Sequence, residues 1–422
     1  MNRLLPLIIA GLTIPALAVA EDWNAFRGPR GDGISTEKNV PIRWGPNENI
    51  IWKVKLPRPG NGSPIVSKGR VFVTCAEDAD GKERSLYCFD RKDGKQLWVR
   101  TVHYPHKMPT HNTNPYCAPT PAADGQRVVV WHGSAGLYCY DFEGNELWKK
   151  DLGEFRHMWG YASSSVIHGD RVIQYCGPGE RIFVTAIDLA TGKTIWETEE
   201  PQQGNGERNT DGKYMGSWGT PVIATVDGKE QILCSMPTRL VAYDPANGDI
   251  LWYCEGLRGQ RGDLAYSSPM IADKLCVAIG GFSGPGLGLK LGGTGNLTAT
   301  NRLWRNESNP QSIGTGIFLG QHVFRANATV NGIDCIDATT GKVIWSNRGA
   351  GSNWGSVVLA GGNLYVTAQN GTTVVYKPNP KEAEIIAENR LGERTNSTPA
   401  ISDGQIFLRT FEHLYCIGEN TR

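Results

Sequence analysis

Short runs of apolar residues, broken by turn residues, recur along most of the 422-residue chain. The clearest unit runs from Ala186 to Trp196, where an apolar strand end leads through Asp and a Thr-Gly-Lys turn to a second strand that closes on tryptophan. Copies run from Cys88 to Trp98, Cys139 to Trp148, Ala242 to Trp252 and Cys335 to Trp345. The Asp can accept backbone N–H bonds across the turn, and the Gly supplies a positive φ. The pattern therefore predicts a repeated antiparallel hairpin.

The repeats predict an all-β fold, namely an eight-bladed β-propeller of four-stranded blades. A unit this short cannot bury its own apolar face, so its copies must stack, and a period of roughly 40 to 50 residues is typical of propeller blades. The tryptophan that ends each repeat is predicted to dock one blade against the next, and Leu391 takes this position in the last full repeat. The docking residues are Trp52, Trp98, Trp148, Trp196, Trp252, Trp304 and Trp345.

The two ends of the repeat array are predicted to complete one blade together. Residues 50–56 resemble the final strand of a blade, whereas residues 397–418 supply three strands with no tryptophan strand after them. Pairing these segments closes the ring, so that the propeller spans residues 50–418 and leaves no exposed sheet edge. Residues 280–295 are unusually rich in glycine and are predicted to form a long hairpin or cover loop in blade five.

The segments outside the ring have other roles. Residues 1–20 combine one basic residue, an apolar run and a small-x-small end at Ala18 to Ala20, which predicts a secretory signal peptide cleaved after Ala20. The run is too short for a membrane anchor and is interrupted by proline. A periplasmic or secreted bacterial protein without a membrane span in the mature chain is expected. Residues 21–49 are predicted to form an arm, anchored by Trp23, Phe26 and Trp44, and residues 419–422 a C-terminal tail.

Composition removes several function classes. The formal net charge of +1 and the lack of a Lys/Arg stripe argue against nucleic-acid binding. The ten cysteines would suggest disulfides in an exported chain. However, Cys88, Cys139, Cys335 and Cys416 share one repeat position with Ala186, which indicates a small buried slot and predicts mostly free thiols.

The repeat resembles that of the pyrroloquinoline-quinone-like β-propeller proteins, Ala-x-Asp-x-x-Thr-Gly-Lys-x-x-Trp. Residues 186–196 match it at each position, and residues 335–345 match it apart from Cys for Ala. The arm with Phe26-Arg-Gly-Pro resembles more narrowly the secreted single-domain members of planctomycete-type bacteria. The wider group includes quinoprotein dehydrogenases and the propeller lipoprotein of the outer-membrane barrel-assembly machinery. The resemblance implies the fold but leaves the function open.

The quinoprotein enzymes of this group hold their cofactor beneath a disulfide between adjacent cysteines, stack it on tryptophan and bind calcium through Glu, Asn and Asp. This chain contains no Cys-Cys pair. No cofactor is therefore expected, with pyrroloquinoline quinone and calcium as the alternative.

Ligand-binding residues are predicted at the funnel mouth, on the loops that join successive blades. The residues just before the small-small-Pro step that opens each blade are Asn61, Tyr116, Tyr161, Trp218, Tyr266, Ile313, Trp354 and Asn396. Five of these eight are aromatic, and rigid amphipathic rings suit contact with a ligand or peptide. The alternative is that they wedge between blades.

One loop offers a candidate metal site. His103, His106 and His111 lie between Thr101 and Tyr116, and three imidazoles could bind zinc or copper if the loop folded back on itself. Their spacings of three and five match no fixed metal motif.

We therefore predict an exported, monomeric, non-catalytic propeller that binds a periplasmic or envelope protein, or a small ligand, on its loop face. A quinone-dependent dehydrogenase is the first alternative. The second is a carbohydrate-active or metal-dependent enzyme on the same face.

Overall fold

The computed structural model describes residues 21–201, 204–328 and 332–419. The predicted signal peptide therefore lies outside the described residues. Eight sheets, each built on four antiparallel strands, form an all-β, eight-bladed propeller, which confirms the predicted fold class. The sheet of blade four carries a fifth strand. Within the described part of the chain, the one helical element is the short 3-10 turn Gly133–Ala135 in blade two.

The strands are numbered β1 to β35 in chain order. β1 is Ile50–Lys55. Blade one contains β2 Ile65–Ser67, β3 Arg70–Ala76, β4 Glu83–Asp90 and β5 Gln96–His103. Blade two contains β6 Ala122–Ala123, β7 Arg127–Trp131, β8 Leu137–Asp141 and β9 Glu146–Lys150. Blade three contains β10 Val166–His168, β11 Arg171–Cys176, β12 Phe183–Asp188 and β13 Thr194–Glu199. Blade four contains β15 Val222–Val226, β16 Lys229–Ser235, β17 Arg239–Tyr243 and β18 Ile250–Glu255.

Blade five contains β20 Met270–Ala272, β21 Leu275–Ile279, β22 Gly286–Lys290 and β24 Arg302–Asn306. Blade six contains β25 Ile317–Leu319, β26 His322–Asn327, β27 Gly332–Asp337 and β28 Val343–Asn347. Blade seven contains β29 Val358–Ala360, β30 Asn363–Thr367, β31 Thr372–Lys377 and β32 Glu384–Arg390. Blade eight contains β33 Ala400–Ser402, β34 Gln405–Arg409 and β35 His413–Ile417. Three short strands lie outside this count. β14 Tyr214–Ser217 precedes blade four and pairs in parallel with β19 Gly262–Ala265, which precedes blade five. β23 Gly295–Asn296 follows β22 and pairs with β18.

Blade eight is completed by the N-terminal strand. β1 pairs antiparallel with β35, with Trp52 opposite Cys416 and Lys55 opposite His413. The order in this sheet is β1-β35-β34-β33, so β1 is its outermost strand. The predicted closure of the ring is thus confirmed, and it joins the two ends of the repeat array without an open edge.

The repeat tryptophans lie between blades. Six of them donate their indole N–H to a backbone carbonyl in the turn of the following blade, at 2.7 to 3.1 Å. These pairs are Trp52–Arg91, Trp98–Phe142, Trp148–Leu189, Trp196–Pro245, Trp304–Ala338 and Trp345–Asn379. Trp252 instead donates to Gln231 Oε1 within its own blade. The reason is that residues 291–301 replace the usual turn of blade five, and β23 pairs with β18 there.

The residue opposite each tryptophan must be small. Cys88 pairs with Trp98 and Cys416 with Trp52, in the place where Ala186 faces Trp196. All ten cysteines are free and buried. Burial raises the pKa of Cys88 to about 12, so the thiol stays protonated and behaves as a small apolar group.

The turn glycine of the repeat lies against the tryptophan of the preceding blade. A Cβ atom on Gly248, which has a φ of +78°, would lie 2.4 Å from the Trp196 ring. Gly228 in the same blade has the same φ of +78°, but a Cβ there would meet nothing within 4 Å. The two positions therefore share the same φ but differ in packing.

This difference gives a matched test of blade docking. We expect Gly228→Ala to lower the free energy of unfolding by about 1 to 2 kcal/mol, the cost of a left-handed alanine. Gly248→Ala should lower it by about 1 to 3 kcal/mol more, because the methyl group displaces the Trp196 ring. Urea denaturation of both variants measures the difference. Equal losses would show that the turn glycine is needed for its backbone conformation alone.

Candidate functional site

A closed ring of hydrogen bonds joins all eight blades at the central channel. In each blade, the backbone N–H of a serine or threonine donates to the side-chain hydroxyl of the corresponding residue in the next blade, at 2.9 to 3.1 Å. The ring runs through Ser63, Thr120, Ser164, Thr220, Ser268, Thr315, Ser356 and Thr398, and closes from Thr398 onto Ser63. All eight hydroxyl-bearing residues line a cavity of about 400 Å³.

The hydroxyl ring shows which residue of each inter-blade connection lies at the funnel mouth. Counting two residues back from each hydroxyl gives Asn61, Ala118, Ala162, Trp218, Tyr266, Ile313, Trp354 and Asn396, and all eight line the cavity. Five of the seven predicted ligand-binding residues are in this set, namely Asn61, Trp218, Tyr266, Trp354 and Asn396. Ligand binding by these residues stays a prediction.

Tyr116 and Tyr161 occupy a different place. Tyr116 lies two residues before the funnel position of blade two, and Tyr161 lies one residue before that of blade three, where the small-small-Pro step is altered. Neither tyrosine lines the cavity. Instead they pack around the buried guanidinium of Arg84, whose carbon lies 5.4 Å and 5.7 Å from the two ring centroids. Tyr116 donates to Met108 O at 2.6 Å and Tyr161 to His132 O at 2.9 Å. The two tyrosines thus wedge between blades, as the alternative interpretation described.

The arm forms the floor of the cavity. Trp23 pairs with Val66 in blade one, and Asn24 exchanges two hydrogen bonds with Ala123 in blade two. Arg27, only three residues later, donates to Thr315 O and Gly316 O in blade six at 2.9 Å and 2.7 Å. Blades two and six face each other across an eight-membered ring, so the chain crosses the channel axis at Phe26, which lines the cavity.

An aromatic wall, formed by Trp159, Trp218, Tyr266 and Phe282, stands on the side of blades three to five. Their ring centroids form a chain, with Trp159 at 5.0 Å from Phe282 and 5.8 Å from Trp218, and Trp218 at 5.4 Å from Tyr266. Phe282 is held in the left-handed region with a φ of 51°. Such strain persists only where the surroundings determine the conformation. Trp159 and Phe282 lie off the repeat, so the repeat register did not align them with the predicted funnel positions.

A polar wall, formed by Asn61, Asn114 and Asn396, stands on the opposite side, at blades eight, one and two. Asn396 donates to Asn61 Oδ1 at 3.2 Å, and Asn61 donates to Asn114 Oδ1 at 3.0 Å. Asn114 in turn donates to the backbone carbonyl of Trp159 at 2.8 Å. The polar wall is thus rigidly linked to the aromatic wall.

The described residues that line the cavity include no Asp, Glu, Lys or Arg. Burial raises the pKa of Tyr266, so its hydroxyl remains neutral. His111 is also in the lining, with its Nδ1 bonded to the Thr113 hydroxyl at 2.7 Å. Apart from the His111 imidazole, the surface therefore offers hydroxyl, amide and aromatic contacts.

The three loop histidines are not brought together. His103 Nδ1 contacts Glu83 Oε1 at 2.5 Å, His106 packs against Tyr104, and His111 faces the cavity. Within the described residues, the one group of ligand atoms close enough for a metal ion comes from Glu393, Glu412 and His413. The structure thus gives the predicted metal site no common centre, and metal binding by the histidines stays a prediction.

The Glu393 group is already satisfied by protein contacts. Its carboxylate accepts from Thr410 at 2.5 Å and Tyr415 at 2.6 Å, and contacts His413 at 2.9 Å. Burial tends to raise the pKa of Glu393, but these hydrogen bonds outweigh it and hold that pKa below its ordinary value. The cluster is an internal hydrogen-bond network beside blade eight.

Sequence comparison then decides the family. A family model described as "Outer membrane protein assembly factor BamB" matches residues 42–115, 83–347 and 330–420. The chain belongs to this BamB family. No curated protein matches the sequence.

Solved structures share the fold of this BamB-family chain. BamB from Moraxella catarrhalis is 15% identical, with a TM-score of 0.60, over 87% of this chain and 99% of that chain. A quinohemoprotein alcohol dehydrogenase from Comamonas testosteroni is 13% identical, with a TM-score of 0.66, over 94% of this chain and 81% of that chain. A europium-containing methanol dehydrogenase is 11% identical, with a TM-score of 0.55, over 93% and 90%. At these identities the likeness concerns the fold alone.

The cavity of this BamB-family chain does not suit the pyrroloquinoline quinone and calcium of the alternative prediction. Calcium takes oxygen ligands that commonly include carboxylates, and the described lining contains none. The ten cysteines are all free thiols, so the disulfide cover is not formed.

In the described residues, no helix has the length and apolar character needed to span a bilayer.

Proposed function

We propose that this protein is a non-catalytic binding propeller whose central cavity takes one small, uncharged ligand from the loop face. The observation that carries the proposal is a cavity of about 400 Å³ with an aromatic wall, a polar wall and a described lining without Asp, Glu, Lys or Arg. Pockets of roughly 300 to 1,000 Å³ are typical of small-molecule sites. Catalysis of hydrolysis or proton transfer would call for a paired acid and base or an activated nucleophile.

A neutral fluorescent probe tests this binding function. N-phenyl-1-naphthylamine should bind the purified protein at one saturable site, because its rings can lie on the aromatic wall. Ala162 lines the cavity, and Ala162→Trp should weaken probe binding at least about tenfold by filling the space. Ala190→Trp, in an exposed turn of blade three, is the matched control. Equal binding by the wild type and the Ala162→Trp protein would contradict the proposal.

The family match favours protein binding as a second candidate. The matched family description names an assembly factor for outer membrane proteins, and an extended segment of such a partner could enter the same funnel. A photo-crosslinking residue in place of Trp354, which lines the cavity, should then yield a crosslinked envelope protein. The same residue in place of Ile385, exposed on the outer strand of blade seven, should not.

We also propose that the protein is exported and that Glu21 begins the mature chain. The Glu21 backbone nitrogen lies 3.0 Å from Glu37 Oε1, and the same carboxylate oxygen accepts from Asp403 N at 2.9 Å. Cleavage after Ala20 would turn that nitrogen into an ammonium group and the contact into a charge-assisted one. Intact mass measurement of protein from the cell envelope should give a chain that begins at Glu21. Retention of residues 1–20 would contradict the proposal.

A further inference from the structure

The chemistry of the two walls narrows the class of ligand. A charged ligand would have to lose its hydration in a lining that offers no opposite charge, which is strongly unfavourable. The described lining contains no Asp, Glu, Lys or Arg on any side, including the floor at Phe26. A neutral ligand therefore suits this cavity better than a charged one.

The hydroxyl ring supplies hydrogen-bond donors. Each hydroxyl oxygen accepts a backbone N–H from the preceding blade, as with Thr120 from Ser63 at 3.0 Å and Ser63 from Thr398 at 3.0 Å. A hydroxyl that accepts one bond still carries its own O–H donor. The ring thus holds eight such donors around the channel.

The polar wall supplies acceptors. The amide nitrogen of Asn61 donates to Thr113 O and Asn114 Oδ1, and that of Asn396 donates to Asn61 Oδ1 and Thr113 O. All four of these N–H groups are used, whereas a carbonyl oxygen has two lone pairs. Asn61 Oδ1 and Asn114 Oδ1 each receive one bond and retain one lone pair for a ligand donor.

The aromatic wall faces this polar surface across the channel. Trp159 and Phe282, with centroids 5.0 Å apart, present aromatic faces and edges that favour apolar C–H surface. A matching ligand has one apolar face and a rim of groups that both donate and accept hydrogen bonds. A flat aromatic compound lacks such a rim, and a lipid chain has no groups that could form hydrogen bonds with the amides and hydroxyls.

We propose that the cavity binds a neutral carbohydrate, a mono- or disaccharide whose C–H face lies on the aromatic wall and whose hydroxyls meet the polar wall and the hydroxyl ring. This inference rests on the proposed binding function and names the ligand class of that site. The link from Asn114 to the Trp159 carbonyl makes the aromatic platform and the amide acceptors one rigid unit.

Isothermal titration with defined sugars tests the proposal. Glucose, N-acetylglucosamine and cellobiose are the neutral probes, and glucuronate and glucosamine are the charged counterparts of glucose. At least one neutral sugar should bind with one-to-one stoichiometry. The charged counterpart should bind at least about tenfold more weakly, because its charge must be desolvated. Glucuronate binding as tightly as glucose would overturn the proposal.

Two variants locate the sugar. Trp159→Ala should weaken binding of the neutral sugar about tenfold by removing the stacking surface, and Trp159→Phe should retain most of the affinity. Asn61→Leu should weaken sugar binding while leaving N-phenyl-1-naphthylamine binding intact. Ile385→Ala, on the outer strand of blade seven, is the control, and circular dichroism checks that each variant is folded. Unchanged sugar affinity in folded Trp159→Ala and Asn61→Leu proteins would overturn the site.

The naphthylamine probe separates the two proposals. If no sugar binds while the probe still binds the wild type and fails to bind Ala162→Trp, the carbohydrate inference is wrong and the binding cavity stands. If neither the sugars nor the probe bind, both proposals are wrong.

Discussion

Lowering the pH from 7.5 to 5 should reduce the free energy of unfolding by about 4 kcal/mol through two buried histidines, about 2 kcal/mol from each. Burial, together with the nearby charge of Arg84, lowers the pKa of His132 to about 3. Burial lowers the pKa of His157 to about 4, against the opposing effect of its hydrogen bond to Met215. Both imidazoles are therefore neutral in the folded protein, whereas in the unfolded chain they bind a proton below about pH 6.5.

The direction of this change in the free energy of unfolding follows from proton uptake. Below about pH 6.5 the unfolded state binds more protons than the folded state, so stability is fully present above that pH and falls as the pH decreases toward 4. The window from pH 6.5 to 5 lies above the usual titration of carboxylates. Urea denaturation across this window measures the predicted loss.

His132→Phe is the sharpest variant for this prediction. Neither ring nitrogen of His132 has a hydrogen-bond partner among the described residues, and its ring packs edge-on against Tyr138 at 6.0 Å. Phenylalanine should keep that contact, preserve stability at pH 7.5 and reduce the loss on acidification by about half. The backbone carbonyl of residue 132, which accepts from Arg84 and Tyr161, remains in place. An unchanged pH dependence would show that His132 does not titrate in this range.

His157 connects acid sensitivity to the cavity. Its Nδ1 accepts the Trp159 backbone N–H at 3.1 Å, and its Nε2 lies 3.2 Å from Met215 O. Protonation at Nδ1 removes the acceptor for Trp159. Its ring also packs edge-on against Trp218 at 5.0 Å. The aromatic wall should therefore loosen, and ligand affinity should fall, as the pH approaches about 4, where His157 takes up a proton in the folded protein.

The scaffold could be predicted from the repeat because every blade is built from the same short set of contacts. A small residue opposite the tryptophan, a turn glycine beneath the preceding tryptophan and a hydroxyl beside the channel recur at fixed offsets. Even the glycine-rich segment of blade five obeys this rule. It contains the regular strand β22, and Gly288 pairs with Trp304, where a Cβ would lie 2.1 Å from Trp304 Nε1. The expected long hairpin or cover loop is therefore confined to the turn before β22 and to residues 291–301.

The cavity was less predictable because its walls come from positions outside the repeat. Trp159 and Phe282 lie on connections that differ from blade to blade, so nothing in the sequence aligned them. The small-small-Pro pattern predicts Tyr116 and Tyr161 at the funnel mouth. In the structure, the residues at the mouth are those two positions before the ring hydroxyls. In blade three the residue after Ser164 is Ser165 and not proline. The hydroxyl is the more reliable marker because it makes the contact between blades.

A second large effect is expected from the buried ion pair of blade six. Arg325 and Asp334 are opposite each other on β26 and β27, with exposed side-chain fractions of 0% and 1%, and Arg325 donates to Asp334 Oδ2 at 2.8 Å. Arg325→Met should lower the free energy of unfolding by about 3 to 5 kcal/mol, because it leaves the Asp334 carboxylate buried without a cation. Asn327, which donates to the same oxygen at 3.0 Å, cannot replace the lost charge. Urea denaturation at pH 7.5 measures this loss.

The double variant Arg325→Met, Asp334→Asn separates charge from packing. It removes the unpaired charge and keeps an oxygen that accepts from Asn327, so it should recover at least about 2 kcal/mol of what Arg325→Met loses. Lys274→Ala, which breaks an exposed pair with Asp227 whose side chains are 64% and 59% exposed, should cost less than about 1 kcal/mol. If the double variant were as unstable as Arg325→Met, the loss would come from the cavity left by the guanidinium. The Arg325–Asp334 pair would then stabilise blade six through side-chain packing and not through its charges.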